Sequence, residues 1–191
     1  MARALAFLLF ALGAAGAAGA AQPSSLILWR HAAAAAASPG LPDDAARHLT
    51  RRGVKQAERV AAWLIARLPP LANVRVLSSP AMRARETARA LSRAFEVAEP
   101  LAADVADAAA VLAAAGWGAT GAARNATHAV TVIVGHEPSL SAALARAAGF
   151  GDLGASSLVP RKGGLVWLQR DCDTRSECAT RVRALLGPED V

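Results

Sequence analysis

The sequence predicts an α/β domain, a three-layer α/β/α sandwich with a mostly parallel central sheet. Three observations predict it. Short apolar, β-prone runs alternate along the chain with segments of helical spacing. Those runs are continuously apolar rather than alternating, as in strands buried on both faces. The chain is 191 residues long, with 19% charged residues, which suits one globular domain with a sizeable core.

The elements follow in order. "SSLILWR" (24–30) reads as a buried strand. Pro39, Gly40 and Pro42 mark 31–50 as a loop, and Thr50 is placed to cap a helix. Val54, Ala57, Val60, Ala61, Leu64, Ile65 and Leu68 then repeat at helical spacing until Pro69 and Pro70. "VRVLSSP" (74–80) is a second strand with a turn, and 81–95 a second helix whose apolar positions include Met82, Ala88, Leu91 and Phe95. The alanine-rich stretch 96–128 predicts one helix near Ala106 to Ala115, then a loop through Gly116, Gly118 and Gly121. "AVTVIVGH" (129–136) is the third strand, 138–149 a helix with Pro138 in its first turn, and "GGLVWLQ" (163–169) the fourth strand. The tail 171–191 is peripheral, with a short final helix over "SECATRVRALL". No internal repeat or linker divides 21–191, so a single domain is expected there.

Composition narrows the function. The formal charge is +6, which suits anionic partners in general. The arginines are scattered and aromatic residues are only 4%, so nucleic-acid binding is not expected. The first residues combine Arg3, an apolar stretch and the small-residue run Ala18-Gly19-Ala20. That pattern predicts a signal peptide over 1–20 and an exported, periplasmic or secreted, protein. The alternative is an uncleaved anchor, but the strongly apolar block Leu5 to Leu12 is too short to span a bilayer. No stable membrane insertion is expected after cleavage. The two cysteines, Cys172 and Cys178, are read as lying after the last strand. In an oxidising compartment they could pair as a disulfide, or stay as two thiols. No histidine lies near them to complete a metal site.

Chemistry is expected outside the carboxyl ends of the strands. The first strand ends in Arg30-His31, the second leads to Arg83 and Arg85 in the following helix, and the third ends in Gly135-His136. Arginine matches phosphate oxygens with a fork of donors and stays charged. A neutral imidazole is a competent nucleophile toward phosphorus. If the three strands are neighbours, these groups converge on phosphoryl-transfer chemistry that needs no metal ion or other cofactor.

The motifs then resemble a known family. "WRHA" is similar to the Arg-His-Gly/Ala signature of the histidine phosphatase superfamily, the phosphoglycerate mutase-like proteins. "RHLTRRGVKQAERVAAWL", "VLSSPAMRARETA" and "VIVGHEPSLSAAL" resemble that family's later blocks, in its order, over about Leu26 to Gln169. The short chain looks most like the SixA-type phosphohistidine phosphatases. The resemblance implies a phosphoglycerate mutase-like fold, His31 as the nucleophile that becomes phosphorylated, and Arg30, Arg83 and His136 as the groups that hold the phosphate. Arg47 matches a position where the family often has an arginine near the pocket. Many members carry an acid in an insertion before the third strand. Here Glu99, Asp104 and Asp107 are the carboxylates in that region, and Asp104 is the candidate. Arg85, His48 and His128 are read as structural or solvent-facing, and Trp63, Trp117 and Trp167 as core or pocket wall.

The implied activity is hydrolysis of a phosphate monoester or phosphoramidate through phospho-His31. An exported location departs from the cytoplasmic phosphohistidine substrates of the SixA type. It favours a phosphorylated small molecule or an envelope substrate. Two other classes stay open: a non-catalytic phosphate- or phosphosugar-binding protein of the envelope, and a scaffold whose basic surface binds anionic lipid.

Overall fold

The computed structural model describes residues 24–36, 44–117, 129–150, 161–172 and 178–191. The expected signal peptide, His128, Gly118 and Gly121 lie outside these residues. The first strand, β1 (Ser24–Arg30), is the centre of the sheet. Its side chains alternate between two cores: Ile27 and Trp29 face one, Leu26 and Leu28 the other. This explains the continuous apolar run, since both faces of the strand are covered.

Thr50 caps α1 (Arg51–Ile65), its Oγ1 accepting the Gly53 N–H at 3.0 Å. β2 (Val74–Ser78) and α2 (Met82–Leu91) follow. α2 ends four residues before Phe95, sooner than the apolar spacing suggests, because Ser92 leaves helical geometry and caps the turn at Ala94. Phe95 nevertheless packs against the core cluster of α1 and α2. A two-residue strand β3 (Glu96–Val97), too short to be read from sequence, adds an edge to β2. α3 (Ala108–Ala114) sits inside the expected span, and the side chain of Asp107 caps it. β4 (Val130–Gly135) and α4 (Ser139–Ala148) come next, α4 ending at Gly149 with φ of 73°. β5 (Leu165–Cys172) and β6 (Cys178–Leu186) close the chain.

The sheet runs β3-β2-β4-β1-β5-β6. The first four strands are parallel, while β5 is antiparallel to β1 and β6 to β5. α1 and α2 cover one face through Ala57, Val60, Leu64, Ala84, Ala88 and Leu91. α3 and α4 cover the other through Val111, Leu112, Leu140, Ala143 and Leu144. The α/β/α sandwich with a mostly parallel sheet is therefore present, with an antiparallel addition at one edge.

The tail corrects the sequence reading. The expected final helix is strand β6, and the cysteines do not follow the last strand but end β5 and begin β6. Residues 178–186 fit either period. The open edge of β5 decides between them, because unpaired strand groups are satisfied by a second strand and not by a helix. Cys178 is disulfide-bonded, and its cross-strand neighbour Cys172 is the one other cysteine of the chain. Exposed Arg181 and Arg183 keep the new edge charged.

Gly53 makes the closest approach of α1 to the strand end. A Cβ there would lie 1.9 Å from the carbonyl oxygen of Ala33. Gly53→Ala is expected to force α1 outward and cost about 1–3 kcal/mol, the usual range for overpacking. Urea unfolding of the variant beside the wild type measures it.

Candidate active site

β2, β4 and β1 are neighbours, so their carboxyl ends form one rim. Arg30 ends β1 opposite Gly135, and His31 continues with its N–H on the Gly135 carbonyl at 3.0 Å. His136 follows Gly135, and Ser79 follows β2 with its N–H on the Val134 carbonyl at 3.0 Å. Arg83 enters from the first turn of α2. The sheet thus brings Arg30, His31, Arg83 and His136 together, as the sequence predicts.

His31 and His136 are both buried, their ring centroids 5.1 Å apart. His31 Nδ1 lies 2.8 Å from the carbonyl oxygen of Ala32. A carbonyl only accepts, so Nδ1 carries the proton and Nε2 keeps the lone pair. On His136 the assignment reverses. Arg83 Nη2, which can only donate, lies 3.4 Å from Nδ1, so the proton sits on Nε2 and is donated to Ser79 Oγ at 2.8 Å. Burial, with added repulsion from the neighbouring cations, pushes the His31 imidazole down to about 3 and that of His136 to about 4. Both rings are neutral at neutral pH.

The backbone behind His31 is fastened from several sides. Ala32 N–H is donated to Thr87 Oγ1 of α2 at 3.0 Å, and Ala33 N–H to Gln56 Oε1 of α1 at 3.1 Å. Gly163, with φ of 85°, donates its N–H to the His31 carbonyl at 3.0 Å and accepts from Trp29 Nε1 at 2.9 Å. The His31 backbone is held by both helices of its face and by the turn before β5.

Arg83 is buried to 3% exposure. Its Nη1 and Nη2 donate to the Asp44 carbonyl oxygen at 2.7 Å and to Oδ2 at 2.8 Å. Arg47 pairs with Oδ1 of the same aspartate and donates to the Ala35 carbonyl at 2.8 Å. Burial works to raise the Asp44 carboxyl, but Arg83 and Arg47 hold it below the ordinary carboxylate range. Arg47 therefore stands one carboxylate away from Arg83 rather than beside the histidines. The Nε groups of Arg30 and Arg83 are buried with no hydrogen-bond partner.

Asp104 is exposed on the wall of a cleft of about 250 Å³ that is also lined by Ser79, Arg83 and Asp44. Unlike Asp44, it has no ion-pair partner among the described residues. The sequence reading missed three residues. Ser79, the second serine of "LSSP", holds His136. Asp44 lies in a loop without periodicity and carries no signal. Glu137 follows His136 directly; burial raises its carboxyl above the ordinary range, and Ser141 Oγ donates to its Oε2 at 2.6 Å. Arg85 is structural as expected, its Nη1 3.8 Å from the Met82 sulfur. His48 is exposed and tied to Glu86, which also accepts the Leu49 N–H at 2.7 Å. Among the described residues no group of three or more His, Cys, Asp or Glu is placed to hold a metal ion.

Two neutral imidazoles, the buried guanidinium of Arg83 and the half-buried one of Arg30 meet at the carboxyl rim of the parallel strands of an α/β protein, an arrangement suited to gripping a tetrahedral oxyanion. The comparisons with known proteins agree. The model of the histidine phosphatase superfamily (branch 1) matches residues 26–105. A protein assigned as phosphohistidine phosphatase SixA from Agrobacterium tumefaciens is 28% identical, with a TM-score of 0.63 over 86% of this chain and 97% of that one. The corresponding protein from Nakamurella multipartitia is 24% identical, with a TM-score of 0.62 over 87% and 97%. The protein histidine phosphatase SixA complexed with tungstate is 19% identical, with a TM-score of 0.61 over 86% and 97%. No curated protein sequence matches the chain. The family match over residues 26–105 and the fold shared with these neighbours over most of the chain are a likeness to the histidine phosphatase superfamily.

The neutral rings make a pH prediction. In the unfolded chain these imidazoles bind protons near pH 6.5, in the folded one only near 3 and 4. Between those values the unfolded state binds more protons, so stability is full above 6.5 and falls as the pH is lowered. Urea unfolding from pH 7.5 to 5 is expected to show this loss, and a His31→Asn, His136→Asn double variant to flatten it.

Proposed function

We propose that the chain is a metal-independent phosphatase whose His31 is transiently phosphorylated. The observation that carries this reading is the unprotonated Nε2 of a buried His31, beside two guanidinium groups whose inner N–H donors are unpaired within the protein. The guanidinium groups neutralise the phosphoryl oxygens, which is the main catalytic demand of phosphoryl transfer. Nε2 attacks phosphorus, the P–N bond forms, and the bond to the leaving group breaks with its electron pair. Water then attacks the phosphohistidine, breaking P–N and releasing inorganic phosphate. His136, with Nδ1 facing Arg83 and the anion, gains a proton more readily once the phosphate's negative charge arrives.

Asp104 is the proposed proton donor to the leaving group, since it shares the Arg83 cleft and Asp44 is already committed to two arginines. The proposed substrates are phosphate monoesters or phosphoramidates. The similarity to SixA proteins supports the second class. The N-terminal signal pattern supports export, and with it a small or envelope-borne phosphorylated substrate. Arg47 acts through Asp44, orienting Arg83 in place of touching phosphate.

The test is hydrolysis of an aryl phosphate in EDTA. Turnover is expected for the protein from Ala21 onward, falling at least about a thousandfold in His31→Ala, as for removal of a covalent nucleophile. Phosphate bound with no turnover would point instead to a binding protein. A second experiment addresses the acid. Asp104→Asn is expected to slow an alkyl phosphate about 10²-fold or more while leaving an activated aryl phosphate nearly unchanged, because only the poorer leaving group needs the proton. Equal loss on both substrates would remove Asp104 from that role.

A further inference from the structure

The first half of α1 carries Arg51, Arg52, Lys55 and Arg59, all exposed. This arrangement is locally unfavourable. The N-terminal end of a helix is its positive end, and α1 has no acidic residue in its first turn. Arg51, Lys55 and Arg59 also stand at i, i+4 and i+8, so like charges stack along one row. Among the described residues only Arg52 of the four has a carboxylate partner, Glu189 at 3.2 Å on an exposed rim. Helix stability alone would favour a different sequence, and such local conflicts concentrate where a surface has work to do.

The four cations and Gln56 line a concavity of about 390 Å³. Its inner side, Gln56, packs against the backbone that follows His31. Gln56 accepts the Ala33 N–H, and a Cβ on Gly163 would lie 3.3 Å from Gln56 Cβ. Gly163 in turn donates to the His31 carbonyl, and the two residues before it, Arg161 and Lys162, are exposed cations. The row from Arg51 to Arg59 extends about 12 Å at the helical rise per residue. A concave, strongly positive surface thus begins one residue layer away from the strand end that carries His31.

We infer that this surface binds the remote anionic groups of the substrate, a soluble small molecule that bears further phosphate or carboxylate groups besides the one transferred to His31. The inference rests on the phosphatase reading and narrows its substrate class to polyanions. A membrane surface is the less fitting occupant, since Gln56 of the same patch bonds the backbone two residues past His31 and so sets the cations beside the proposed catalytic site rather than on a remote face. Counter-charge from the substrate removes the repulsion within the row, so the surface contributes to binding without touching the reacting phosphorus.

The experiment compares orthophosphate with myo-inositol hexakisphosphate as inhibitors of aryl phosphate hydrolysis. The hexakisphosphate is expected to inhibit at least about fiftyfold more tightly, beyond the roughly sixfold statistical gain from six phosphates, and to weaken steeply with salt. The triple variant Arg51→Gln, Lys55→Gln, Arg59→Gln is expected to lose most of that advantage, while its orthophosphate inhibition and aryl phosphate kcat stay within about twofold of wild type. Urea unfolding confirms that the variant is folded. Equal inhibition by the two probes, or an advantage that survives the triple variant, overturns the inference. So does binding to anionic vesicles that the variant loses and hexakisphosphate does not compete for. Calorimetric titration with the same two probes reads the surface without turnover, so an inactive protein that still prefers the hexakisphosphate through these residues refutes the phosphatase reading and not the surface.

Discussion

Desolvation of two imidazoles between two guanidinium groups is the constraint on which the rest of this structure depends. His31 and His136 are buried among positive charge, and protonating either would add a third or fourth cation to a space that water barely reaches. Neutrality follows, and with it a lone pair on His31 Nε2. The same placement leaves the site with strong positive potential, the charge of Asp44 being divided between Arg83 and Arg47. In the proposed reaction, an arriving phosphoryl group meets both the charge it needs and the nucleophile it reacts with.

Such a site cannot be held by loops alone. Arg30, His31 and His136 stand at or just past the carboxyl ends of buried parallel strands, Arg83 stands in the first turn of the helix after β2, and the strands are hydrogen-bonded neighbours. Backbone contacts finish the work: Thr87 and Gln56 fix the residues after His31, Gly53 lets α1 come close enough to do so, and Gly163 closes the side toward β5. These residues come from four separate stretches of chain. The motif blocks "RHLTRRG", "RARETA" and "GGL" therefore serve the site through its backbone as much as through direct contact.

Much of this was legible in the sequence because the relevant signals are local. A continuous apolar run predicts a strand covered on both faces, and Arg30-His31, Arg83 and Gly135-His136 follow such runs at fixed offsets. What was not legible depends on partners distant in the chain. Asp44 gains its role only because the fold brings its loop under Arg83, 39 residues on. Ser79 resembles any turn serine until His136 is seen beside it. The final strand fits a helical period equally well, and only the open edge of β5 and the cross-strand cysteine position decide for β6. Arg47, expected near the pocket, contacts Asp44 and not the histidines.

The central claim is that the fold keeps both histidines unprotonated until an anion arrives, and NMR titration of their ring resonances in the free protein tests it most directly. The account predicts that His31 and His136 stay neutral down to at least pH 5, with His31 Nδ1 and His136 Nε2 carrying the protons. Titration of either ring at or above 6.5 would contradict it, because burial would then not have moved the imidazole from its ordinary value.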